Sequence, residues 1–165
     1  MAHGLAYHDA DPVAVSDALR RALTVARESG NRQMESAVAV TLWMVGATDR
    51  DPTEFFPHLT VAIRHYYDAG NAANLQNPLA ILASLLDSLG HHEQAATNSG
   101  FAATAFTLAS YPQLNSTMVH LRDVLGDETY ESLARKGEMM TTAEMVTYAY
   151  DQIDQARAEL NAVSE

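Results

Sequence analysis

The sequence predicts an all-α protein built from helix pairs, and three observations predict it. "DPVAVSDALRRALTVARESGN" (residues 11–31) returns as "DPTEFFPHLTVAIRHYYDAGN" (residues 51–71), matching Asp11/Asp51, Pro12/Pro52, Leu19/Leu59, Ala22/Ala62, Gly30/Gly70 and Asn31/Asn71. The spacing of 40 residues lies in the range of helix-pair solenoids. Each copy is bracketed by helix signals, Asp-Pro at its start and Gly-Asn at its end. Between these marks the apolar residues recur at helical spacing, and no segment reads as a credible strand. The expected architecture is an α-α superhelix of tetratricopeptide-like helix pairs with about eight helices and no sheet. Two repeats, 11–50 and 51–90, precede a less regular helical half, 91–160. Together they form a single domain over 11–165, with 1–10 as a flexible N-terminus.

Taken in order, the first helix carries Val15, Leu19, Ala22, Leu23 and Ala26 on one face, and the next carries Met34, Val38, Leu42 and Val45. In the second copy the corresponding stripes are Phe55, Leu59, Ala62, Ile63 and Tyr66, then Leu75, Leu79, Leu82, Leu85, Leu86 and Leu89 ahead of Gly90. Pro78 falls inside the last of these, so its helix either begins there with Asn77 as cap or begins near Ala72 and kinks. From His92 to about Leu108 small residues dominate: Ala95, Ala96, Ser99, Gly100, Ala102 and Ala103. Such a surface lets a neighbouring helix come close. Pro112 breaks the pattern, and Asn115 or Ser116 caps a helix with Met118, Leu121, Val124 and Leu125. Gly126-Asp127 restarts a helix with Tyr130 and Leu133 that stops at Gly137. Thr141 and Glu144 form a capping box for a last helix with Met145, Ala149, Ile153, Ala156 and Leu160 inward.

Composition narrows the function classes. The chain has 165 residues, 47% hydrophobic and 19% charged, as an ordinary globular domain does. It contains no cysteine, which removes disulfides, thiolate metal sites and cysteine nucleophiles. A net charge of −11 repels a phosphate backbone, so direct nucleic-acid binding is not expected. No apolar run approaches the roughly 20 residues of a membrane span and no secretory signal opens the chain, so a cytoplasmic setting without membrane contact is expected.

The chemistry-bearing residues point away from catalysis. His91, His92 and Glu93, with His65 or His120 as further ligands, are the tempting metal set. Adjacent helical residues point about 100° apart, so His91 and His92 cannot both hold one ion from a regular helix. They are expected to be solvated loop residues that start the next helix, with no metal and no cofactor. Ser84, Ser99, Ser110 and Ser116 lack the strand–turn–helix elbow of a serine nucleophile. Asp123, Asp127, Glu128 and Glu131 sit where helix starts favour negative charge. No enzyme is expected. Phe56 and Tyr67 fall off the packing stripe: either both faces of their helix are buried between neighbouring repeats, or Phe56, His65 and Tyr67 form a candidate partner-binding surface. Trp43 and Met44 are placed in the core.

The run "NLQNPLAILASLLDSLGHHEQAATNSGFA" resembles the helical repeat region of large bacterial LuxR-type transcriptional regulators and adenylate-cyclase-like ATPases. The carried positions are Leu79, Leu82, Ala83, Leu86, Leu89, Gly90, Glu93, Ala95, Ala96, Gly100 and Ala102. The segment "LRDVLGDETYESLARKGEMMTTAEMVTYAYDQ" is similar to the part closing that region, through Leu125, Gly126, Gly137, Thr142, Glu144, Tyr148 and Ala149. The resemblance spans roughly residues 12–152 and rests on packing motifs. It implies a non-catalytic interaction or sensor arm whose partner is a protein or a neighbouring nucleotide-binding domain of the same regulator. This sequence carries neither a phosphate-binding loop nor a basic recognition helix. The competing readings are a small-ligand receptor with a pocket between helices and a metal-assisted hydrolase at His91, His92 and Glu93. A solenoid end without a cap exposes apolar surface, from which self-association is expected.

Overall fold

The computed structural model describes residues 12–45 and 52–163. The expected caps Asp11 and Asp51 and the flexible segment 1–10 lie outside the described residues. Within them the chain forms nine α-helices and no strand: α1 Pro12–Glu28, α2 Arg32–Met44, α3 Pro52–Asp68, α4 Ala72–Ser88, α5 His92–Ala102, α6 Ala105–Ser110, α7 Gln113–Leu125, α8 Asp127–Glu138 and α9 Thr142–Val163. No helix among the described residues is long and apolar enough to cross a membrane. Two compact units meet in sequence between Ala62 and Ile63, inside α3.

The repeated phrase produces a repeated turn. At the end of α1, the Asn31 amide donates to Ala26 O (3.0 Å) and Gly30 to Arg27 O (3.1 Å). Asn71 to Tyr66 (2.9 Å) and Gly70 to Tyr67 (2.9 Å) repeat the pair after α3, and His91 to Leu86 (2.9 Å) and Gly90 to Asp87 (3.0 Å) repeat it after α4. These are Schellman closures, which need a left-handed residue; Gly30, Gly70 and Gly90 supply it at φ 67°, 64° and 85°. The residue after each glycine then opens the next helix. Asn31 and Asn71 accept from the amides of Met34 (3.1 Å) and Asn74 (3.2 Å), so one asparagine closes one helix and caps the next. His91 takes the same place ahead of α5 without a side-chain cap bond.

Several local expectations change. The Asn71 cap settles the start of α4 at Ala72, and Pro78 is carried inside the helix. Residues 92–108 are not one helix: Thr104 leaves the helical region and its hydroxyl accepts from Thr107 N (3.2 Å) while donating to Gln76 Oε1 (2.9 Å), which divides α5 from α6. That division makes nine helices where about eight were expected. α7 begins at Gln113, so Asn115 and Ser116 lie within it and do not cap it. Its inner face is Leu114, Thr117 and Leu121, while Val124 is exposed. Met34 and Val45 are likewise exposed, leaving Val38, Leu42 and Trp43 as the buried side of α2. The capping box forms as read: Thr141 N donates to Glu144 Oε2 (2.8 Å) and Glu144 N to Thr141 Oγ1 (3.3 Å). Met145, Ala149, Ile153 and Ala156 of α9 are all buried.

In the first unit α1 packs on α2, with Arg27 paired to Glu35 (3.0 Å) across the turn, and Trp43 stacks on Phe55 at 4.2 Å. The second unit is organised around α5, which packs on α4, α7, α8 and α9. Its small residues allow backbone-to-backbone approach to α8. A Cβ on Gly100 would stand 2.0 Å from Ala134 O, and one on Gly137 would stand 1.9 Å from Thr97 O. Gly137 therefore does not stop α8, which continues to Glu138; it lets α5 in. Along α4 a second register runs through side chains: Asn77 with Ser110, Ser84 with Thr117 and Asp87 with His120, each pair 33 residues apart. The last two pairs step along α4 and α7 in the same sense, so these helices lie parallel.

Candidate functional site

The α4–α5 turn and α7 bring three chemistry-bearing side chains together. Asp87 sits in the last turn of α4, His92 is the first residue of α5, and His120 lies near the end of α7. His92 Nδ1 is 2.9 Å from Asp87 Oδ1. His120 Nδ1 is 3.0 Å from Oδ1 and 2.9 Å from Oδ2 of the same carboxylate. The two rings meet edge to face with centroids 5.7 Å apart. The Asp87 side chain is 11% exposed, His92 27% and His120 53%, so the carboxylate is sheltered and the outer imidazole faces water. The local reason is the Schellman closure: its Gly90–Asp87 bond holds the end of α4 while the chain reverses, placing His92 over Asp87. An ionised carboxylate only accepts, so both rings present Nδ1–H to it in the metal-free protein.

The tempting sequence set separates, but not as solvated loop residues: His91 is the cap position outside α5, His92 is its first residue, and both side chains are largely sheltered, 15% and 27% exposed, against carboxylates. His91 turns away from His92 and pairs through Nε2 with Glu159 Oε2 of α9 at 3.1 Å. The Tyr148 hydroxyl is raised above the ordinary tyrosine range first by burial, opposed by a bond to Thr97, with the Glu93 charge adding to the rise. His91 and His92 thus take different partners, Glu93 stands outside the cluster, and of the further ligands considered only His120 joins His92. His65 lies elsewhere, its ring 5.4 Å from Tyr66. Asp87 was not among the sequence candidates. The available signal was the offset of 33 residues shared by three pairs, which becomes visible only once the pairs are known.

The two readings of the aromatic residues divide between them. Phe56 has no solvent exposure, so this ring belongs to the core; both faces of α3 are covered there, and leaving the main stripe does not mean leaving the interior. Tyr67 is 40% exposed and His65 half-buried, so they remain on the surface. Tyr150 of α9 lies in the same neighbourhood. Burial raises its pKa, its bond to Arg64 and that residue's positive charge oppose the rise, and Asp68 and Tyr67 add to it.

The acidic residues near the α7–α8 turn serve the fold. Arg122 pairs with Asp127 (3.1 Å) and with Glu131, and stacks over the buried Tyr130 ring at 4.3 Å. Asp127 and Glu128 occupy the first turn of α8, with Arg135 and Lys136 in the last, matching the helix dipole. Compared with protein-family models, curated proteins and solved structures, the chain matches none.

Proposed function

We propose that this chain is a non-catalytic interaction or sensor module that works in the cytoplasm, in the manner of the repeat arm of an ATP-dependent LuxR-type regulator. The observation that carries the reading is the thrice-repeated helix closure at Gly30, Gly70 and Gly90, each followed at once by a new helix. Such hairpins are the unit from which helical repeat proteins build binding surfaces. The leucine-rich run 75–89 and the small-residue helix after it, on which the resemblance rests, form α4 and α5 and belong to this scaffold.

The partner is a protein or a neighbouring nucleotide-binding domain, engaged where Tyr67, His65 and Arg64 reach the surface. Tyrosine and arginine are the side chains that interfaces use most productively. Binding there acts on a neighbouring switch only through different affinities for its two states. The test is co-precipitation from a lysate of the source organism with wild type and a His65→Ala/Tyr67→Ala variant that keeps its melting curve. A protein carrying a phosphate-binding loop should be held by the wild type and lost by the variant. If both chains retain the same set of proteins, the surface assignment is wrong.

A further inference from the structure

We infer that Asp87, His92 and His120 form a binding site for a divalent transition metal of the zinc class, tying α4, α5 and α7 together. The inference goes beyond the interaction reading and does not depend on it. The three ligand atoms, one carboxylate oxygen and two imidazole nitrogens, all lie within 4.8 Å of one another. Ligands at about 2.0–2.2 Å from a tetrahedral ion stand about 3.3 Å apart, so the contacts of 2.9 Å and 3.0 Å that the two rings make with Asp87 Oδ1 need to open by only ~0.3–0.4 Å. Both rings already direct the same nitrogen, Nδ1, at the shared carboxylate. On metal binding each ring moves its proton to Nε2, and the two hydrogen bonds become two metal–nitrogen bonds.

Donor chemistry selects the ion. Two imidazoles and one carboxylate suit zinc, nickel, cobalt or iron, whereas magnesium and calcium prefer sets made of oxygen. Three protein ligands leave a fourth position for water or an incoming group. That position lies toward solvent, since His120 is the exposed member; its ring also lines a shallow depression with Asn115, Ser116, Val119 and Asp123. The ligands come from three helices, so an ion there binds the folded chain and not the unfolded one, and raises the melting temperature.

The experiment uses the full chain, purified without a histidine tag and stripped with chelator, titrated with Zn²⁺ by calorimetry and followed by thermal melting. Uptake should saturate at one ion per chain, raise the melting temperature, and persist in excess Mg²⁺. His92→Ala and His120→Ala should each weaken binding by about 100-fold or more, beyond the 10–100-fold that loss of a supporting outer contact costs. His91→Ala, which removes a neighbouring imidazole paired elsewhere, should leave it unchanged. Nitrogen NMR of the wild-type histidines covers the case in which a ligand variant fails to fold: Zn²⁺ should move Nδ1 of His92 and His120 and leave His91. Unsaturable uptake, equal uptake by the ligand variants, or unmoved Nδ1 resonances would each overturn the site.

Discussion

Replacing Gly100 with alanine should destabilise the protein, although the same change in an open helix stabilises by roughly 1 kcal/mol. The new Cβ would lie 2.0 Å from the Ala134 carbonyl oxygen, where ordinary contact starts at 3.4 Å, so 3.4 minus 2.0 leaves 1.4 Å to be found. The opposing atoms are helix backbone and cannot rotate aside. α5 and α8 must separate, and a gap of about 0.5–1 Å already forfeits a quarter to a half of each atom-pair attraction along the crossing. The Ser99–Tyr130 hydrogen bond (3.2 Å) spans the same interface and lengthens with it. Overpacking of this kind costs about 1–3 kcal/mol and the weakened bond about 1 kcal/mol. Against the propensity gain of roughly 1 kcal/mol, the net is a loss of about 1–3 kcal/mol. Gly137→Ala, 1.9 Å from Thr97 O, should match it. Urea unfolding at 25 °C measures both. A Gly100→Ala protein as stable as wild type, or more so, would refute the close-approach argument.

The glycines of the Schellman turns should behave differently, because nothing stands within 4 Å of their missing side chains. Gly70→Ala should cost about 1–2 kcal/mol through its positive φ alone, Gly70→Asn less and Gly70→Val more, read from the same urea curves. Leu59→Ala and Leu82→Ala, both fully buried, should each cost about 2–5 kcal/mol; Phe56→Ala should fall with them, while Tyr67→Ala stays within about 0.5 kcal/mol. Glu144 is held below its ordinary range of 4.5 by the Thr141 hydroxyl first and the Thr141 amide second. A depressed carboxyl stabilises fully above its unfolded value and loses that contribution as pH falls through the folded one. The melting-temperature gap between wild type and Glu144→Gln should therefore be widest at neutral pH and narrow as pH falls below the ordinary glutamate value.

The local grammar of the chain was legible because it depends on neighbours in sequence. Gly-Asn encodes a left-handed closure followed by an amide acceptor, and both functions are exercised within five residues at Gly30-Asn31 and Gly70-Asn71. The Thr141–Glu144 box and the inward stripe of α9 follow from helical spacing in the same way.

Tertiary structure decided what depends on a second helix. Gly137 reads as a stop in sequence, yet α8 continues through it, because its lack of a side chain answers to Thr97 forty positions away. Phe56 reads as off the stripe, yet it is buried, because a helix covered on more than one side has no free face to predict. Asp87 reads as an unremarkable acidic residue before a turn, and gains its chemistry only when the parallel pairing of α4 and α7 brings His120 to it. By itself the sequence determined the helix ends that carry their own closing residues, at Gly30-Asn31, Gly70-Asn71 and Thr141–Glu144, since hydrogen bonds that close a helix span three to five residues. Which faces meet is set by the packing of one helix on another, so that Asp87, five residues from His92, gains its second imidazole from His120 at a separation of 33, where spacing along the chain no longer specifies position in space.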